Sequence, residues 1–210
     1  MASAIIHIAI AKEVNKRLKK DESKYLLGSI APDIAKLVGE PKNKSHFMDE
    51  GHSEPNLDRF LEKYECYLDD DFVMGYYIHL LGDYFWFKYF IPEIVNEDNT
   101  LIKNLAGEKV HLCDDAIMEY IYNDYTSLNI DLIDKYKLDL DIFYQDIPKL
   151  DNIIEEIPMD KLEILRDKMG LIIENSKKAK LYVFSMENIE NFISTTTEMI
   201  IAKLEELDYL

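Results

Sequence analysis

Four short stretches carry side chains able to do chemistry. The sharpest is Gly75-Tyr76-Tyr77-Ile78-His79-Leu80-Leu81-Gly82-Asp83. His79 and Asp83 stand at i and i+4. On a helix both leave the same face one turn apart, a spacing that lets an imidazole and a carboxylate share one metal ion. The flanking residues are apolar, so the helix is expected to be buried, and a buried carboxylate without a cation or donors is costly. A His–Asp hydrogen bond holding a core together accounts for the pair equally well. The second stretch is Gly28-Ser29-Ile30-Ala31-Pro32-Asp33, where Asp33 follows a proline turn. It either points into a cleft or caps a short helix from Ile34 to Val38. The third is Ser45-His46-Phe47 in a polar loop, where a lone histidine is ordinarily exposed. The fourth is His7 among Ile5, Ile6, Ile8 and Ile10, where a satisfied core histidine is the plain reading.

The elements that must position these groups read as helices. Ile6, Ile10, Val14 and Leu18 recur at i+4 in an opening helix running to about Lys20. Asp21-Glu22-Ser23 breaks it, and Tyr25 to Ile30 forms a short apolar run. Residues 39 to 56 hold Gly39, Pro41, Gly51 and Pro55 and read as a loop. Leu57, Phe60, Leu61, Tyr64 and Leu68 mark a second long helix. Asp69-Asp70-Asp71 is placed to cap the next one. That helix, Phe72 to about Phe90, is apolar on nearly every side, which makes it the buried central element, and Pro92 ends or kinks it. After a loop around Gly107, residues 112 to 129 read as helical, and Pro148 and Pro158 divide shorter pieces. A long amphipathic helix closes the chain through Phe184, Ile189, Phe192, Ile193, Met199, Ile200 and Leu204. It either packs into the chain's own core or pairs with a second copy. The expectation is one all-α domain over residues 1–210.

Composition narrows the function classes. The chain has 24 Lys+Arg against 41 Asp+Glu, a formal net charge of -17. Such a surface repels long nucleic acids and anionic membranes, yet allows a small, locally positive site that holds metal. Gly 7 and Pro 6 are too few for the many tight turns of an all-β fold. Cys66 and Cys113 form no Cys-x-x-Cys pair, so neither a disulfide framework nor a cysteine zinc site is expected. Cys66 falls in an apolar-periodic run and reads as a small buried hydrophobe. No signal peptide and no run of bilayer length is evident, and a soluble cytoplasmic chain is the expectation.

Taken together, the order of these residues resembles the zinc-dependent phospholipase C family, which is related to the zinc nucleases that cut single strands. The match rests on His7, "APD" at 31–33, "SHF" at 45–47 and "GYYIHLLGD" at 75–83. It covers residues 5 to about 90. The resemblance implies an all-helical scaffold with one to three zinc ions, two being the expected number. Asp33, His46, His79 and Asp83 would surround one zinc, and Asp83 would bridge to a second that His7 helps to hold. Asp33 would also act as catalytic base for a metal-activated water attacking a phosphate ester or diester. A small phosphoester or phospholipid head group is the implied partner.

The chain departs from the family pattern in four places. Met1 stands where secreted members present an amino-terminal tryptophan as a ligand. Tyr89 occupies a position that the family fills with histidine. His111 and Asp115, as His-x-x-x-Asp, are the nearest counterpart of a later His-x-x-x-Glu; they would either hold a weak further ion or stand as a polar loop histidine followed by N-terminal helix carboxylates. His52 matches nothing and reads as a rim residue. Asn123-Asp124-Tyr125 and Asp114-Asp115 are further candidates for lining a cleft. The alternative reading is a catalytically inactive metal-binding or structural protein on the same scaffold. An HD-type phosphohydrolase is disfavoured because the chain has no His-Asp dipeptide. Nitrogen and oxygen ligands alone do not choose among zinc, manganese and iron.

Overall fold

The computed structural model describes residues 1–210. The first helix, α1, spans Ala4–Leu18, and the Ser3 hydroxyl caps it by accepting the Ile6 N–H. Its i+4 apolar stripe is buried, and His7 is buried with it. α1 ends where Lys19 turns left-handed (φ 60°). Asp21 then caps α2, Glu22–Gly28, so the acidic break is also the next helix's start. A 3₁₀ turn over Ala31–Asp33 leads into α3, Ile34–Leu37. The expected loop of residues 39–56 contains a short helix, α4, Lys42–Ser45. α5 spans Leu57–Tyr64 behind an Asn56 cap.

The central helix α6 runs over Asp71–Phe85. Of the three consecutive aspartates, Asp70 is the cap, accepting the Phe72 and Val73 N–H groups. Every residue from Phe72 to Asp83 is buried, which agrees with its apolar character on all sides. Its α-helical part is shorter than expected. The chain widens into a π-turn over Trp86–Phe90 and tightens into a 3₁₀ turn at Ile91–Glu93, around Pro92.

A small hairpin follows, which the periodicity did not reveal. β1, Leu101–Lys103, pairs antiparallel with β2, Lys109–His111, in the register Leu101↔His111. Gly107 supplies the positive φ (81°) that the connecting turn needs. α7 covers Asp114–Tyr136 and α8 covers Leu162–Glu174. α9, Met186–Glu206, opens with a Ser185/Asn188 capping box and buries Ile189, Phe192, Ile193, Ile200 and Leu204. It packs against α1 and α6 in the chain's own core. The molecule is all-α apart from the hairpin, and one continuous core runs from Ala2 to Leu204. No helix is long and apolar enough to cross a membrane. Cys66 differs from expectation. It sits on a 3₁₀ turn, Glu65–Tyr67, and is exposed, because three residues per turn rotate it off the apolar stripe.

Candidate metal centre

α2 and α6 cross with their backbones in contact, and two glycines make this possible. A Cβ on Gly28 would lie 2.1 Å from the Phe72 carbonyl oxygen, and one on Gly75 would lie 2.0 Å from that of Tyr25. Any side chain at either position would force the helices apart. The crossing brings the Ser29 carbonyl to His79, one turn beyond Gly75. His79 Nδ1 lies 2.8 Å from that oxygen. A carbonyl only accepts, so Nδ1 carries the proton and Nε2 presents a lone pair.

His46 is fixed in the same way at the end of α4. Its Nδ1 lies 2.9 Å from Ser45 Oγ and 3.2 Å from the Lys42 carbonyl. The serine hydroxyl donates to that carbonyl and accepts from the ring, so Nε2 of His46 is also a lone pair. The two Nε2 atoms face each other at 3.3 Å. Asp83 Oδ2 is 3.7 Å from each of them. Asp33 Oδ1 is 3.6 Å from His46 Nε2. Four acceptors therefore converge, and no donor stands among them.

Asp83 faces two ways. Its Oδ1 accepts the Ala2 N–H at 3.2 Å and lies 3.3 Å from His7 Nε2. The His7 ring stacks on that of His79, centroids 3.8 Å apart and planes within 14°. Gly82 admits it: a Cβ there would sit 3.1 Å from His7 Nδ1. Asp83 Oδ2 and His7 Nε2 are both buried without a hydrogen-bond partner.

Electrostatics sharpen the picture. Burial, with the neighbouring His7 adding to it, pushes the His79 pKa down to about 3, so the ring is neutral at ordinary pH. Burial alone would raise the two carboxyls. A proton on His46 beside Asp33, or on His7 and the Met1 amino group beside Asp83, outweighs it, holding Asp33 at about 2 and Asp83 well below the usual range. Two ionised carboxylates and two imidazole lone pairs then share one small volume.

These residues fit a divalent cation. Zinc bound tetrahedrally at about 2.1 Å sets its ligand atoms roughly 3.4 Å apart. The observed separations of 3.3, 3.6 and 3.7 Å lie close to that. His7, His79 and Asp83 form one candidate metal group, and Asp33, His46 and His79 form a second. Comparison of the chain with known protein families, with curated proteins and with solved structures finds no match.

The structure brings together His7, Asp33, His46, His79 and Asp83. Asp33 begins α3 but makes no side-chain capping bond; its carboxylate turns to His46 instead. His46 is buried, unlike an ordinary loop histidine. The weaker pair stays outside. His111 ends β2, Asp115 sits on the first turn of α7, and both are exposed. Neither joins a candidate metal group, because the hairpin carries that segment away. His52 is exposed beside Glu54, as a rim residue should be, and Tyr89 is exposed. Asp124 does not line a cleft. It is buried and accepts the backbone N–H groups of Tyr182, Val183 and Phe184. The Ser29 carbonyl and the Ala2 N–H escaped the sequence reading, since backbone groups leave no residue signature. Gly28 and Gly75 both stand in the motif stretches, but nothing in the sequence paired them as a crossing.

Proposed function

We propose that the chain is a metal-dependent hydrolase of phosphate esters and diesters. The observation that carries this reading is the convergence of four acceptors, with Asp83 Oδ2 left without a hydrogen-bond partner. A dication there supplies Lewis acidity, polarising a phosphoryl oxygen and acidifying water near neutral pH. His46, His79 and Asp83 hold the ligand geometry, each fixed by a backbone or hydroxyl partner. Asp33 is the one member with solvent access, its side chain 21% exposed. This access supports Asp33 as the group that takes a proton from the attacking water, with the substrate entering on its side. The net charge of -17 works against long polyanions and leaves compact phosphoesters as the substrate class.

A second reading has its own support. Four of the five side chains are at most 1% exposed, which suits a metal held for stability alone. The deciding experiment loads the purified chain with zinc and assays a chromogenic phosphate diester and monoester. Turnover that disappears in Asp33→Asn while zinc stays bound supports the hydrolase. Stoichiometric zinc with no turnover on any phosphoester establishes the structural role instead.

A further inference from the structure

The ammonium of Lys42 has no use in the centre described above, and its placement is unusual for so acidic a chain. Lys42 opens α4 and precedes His46, the residue that closes it, by four positions, about one helical turn. Its backbone is pinned, the carbonyl accepting from the Ser45 hydroxyl and facing His46 Nδ1. The Nζ atom lies 5.6 Å from the centre of the Phe87 ring. Phe87 in turn follows Asp83 by four residues, in the π-turn that continues the central helix. The lysine thus reaches from one ligand-bearing segment to the other.

Although the chain has 41 carboxylates, no Asp or Glu oxygen pairs with this ammonium, nor does it make a hydrogen bond. Burial pushes its pKa down, and the charges of Asp83 and Asp33 pull it back up. Lys36, whose own ammonium rests on the Tyr122 hydroxyl at 3.4 Å, is a second cation near enough to be felt. A largely buried cation facing aromatic carbon, without an anion, is an expensive arrangement unless an anion arrives.

We propose that Lys42 is a specificity-determining residue that takes a second negative charge of the substrate, making a dianionic phosphate monoester the preferred class. The inference rests on the metal-hydrolase reading. A dication in the four-acceptor site is balanced by Asp33 and Asp83, so there the net positive charge offered to a ligand comes from Lys42, with Lys36 behind it. A phosphate monoester dianion uses that charge. A diester carries one negative charge, and a zwitterionic head group adds a cation that Lys42 repels.

The test compares zinc-loaded wild type, Lys42→Gln and Lys42→Arg. Zinc content is measured first, then binding of inorganic phosphate and of dimethyl phosphate by calorimetry above neutral pH, where inorganic phosphate is a dianion. Lys42→Gln is expected to keep its zinc and its melting temperature. It should bind inorganic phosphate about tenfold more weakly, the loss of one charge-assisted hydrogen bond. Dimethyl phosphate should change little, and Lys42→Arg should restore the preference. Retained zinc with unchanged phosphate binding, or an equal loss for both probes, overturns the role of Lys42 and leaves the metal centre standing. A wild-type chain that takes up no zinc overturns the metal-hydrolase reading, and this inference with it.

Discussion

Two buried carboxylates, Asp83 in the first half of the chain and Asp124 in the second, meet opposite surroundings. Asp124 on α7 accepts from Tyr182 at 3.0 Å, Val183 at 2.6 Å and Phe184 at 2.9 Å, and from the Asn123 amide at 3.1 Å. Its charge is spread over donors, and it latches the segment before α9 onto α7. Asp83 has one backbone donor, and its other oxygen faces two imidazole lone pairs. Burial is the same; the sign of the neighbours differs. A carboxylate ringed by donors is a structural latch, and one ringed by acceptors calls for a cation.

Four tests break or sharpen that contrast. The largest effect is expected for Asp83→Ala in the presence of zinc. The variant should lose its metal, and with it the stabilisation a ligand gives the folded state, about 4 kcal/mol at a thousandfold excess over the dissociation constant. Thermal melts with zinc and with chelator measure this. In chelator the same substitution should cost much less, since it strands the Ala2 N–H but also removes a buried oxygen without a partner. A large loss in chelator would make Asp83 a latch after all.

Asp124→Ala should cost about 3 kcal/mol by stranding three backbone donors. Chemical denaturation should give the same loss with and without zinc. A loss that appears only with zinc would erase the distinction between the two residues.

The third effect is a pH dependence of the chelated chain. The His79 pKa is lowered from 6.5 to about 3 in the folded state. Below 6.5 the unfolded chain binds a proton that the folded chain refuses. The neutral ring's stability is therefore present in full above 6.5 and lost progressively as pH falls toward about 3. Melting temperature should decline over that window, and less steeply in His79→Gln. Equal slopes in the two proteins would show that the ring is not held neutral by its burial.

The smallest effect belongs to His52→Ala, His111→Ala and Asp115→Ala. All three positions are exposed and outside the cluster, so stability should move by no more than about 0.5 kcal/mol and zinc content not at all. A loss of zinc in His111→Ala would extend the centre to the hairpin.

The contrast also explains what the sequence made legible. His79 and Asp83 were readable because an i,i+4 pair inside an apolar helix has one geometry and few uses. The five clustered residues were readable as an ordered set, although His46 and Asp33 taken singly suggested an exposed loop and a helix cap. Their environment depends on the α2–α6 crossing, which is tertiary. Asp124 carried no such pattern, since its partners are backbone N–H groups some sixty residues away. The hairpin escaped because strands of three residues are too short to show a period. Missing it tied His111 to the helix that follows, which begins at Asp114 rather than 112 and runs to Tyr136 rather than 129. Cys66 was misplaced because a helical period was carried into a 3₁₀ turn.

The most direct test of the central claim is the metal content of tag-free protein purified without chelators, measured by elemental mass spectrometry beside Asp83→Ala. Zinc at one equivalent or more per chain in the wild type, and none in the variant, is the expected result. No stoichiometric metal, even after zinc is added, would contradict it and leave the imidazoles and carboxylates as a buried polar network without a cation.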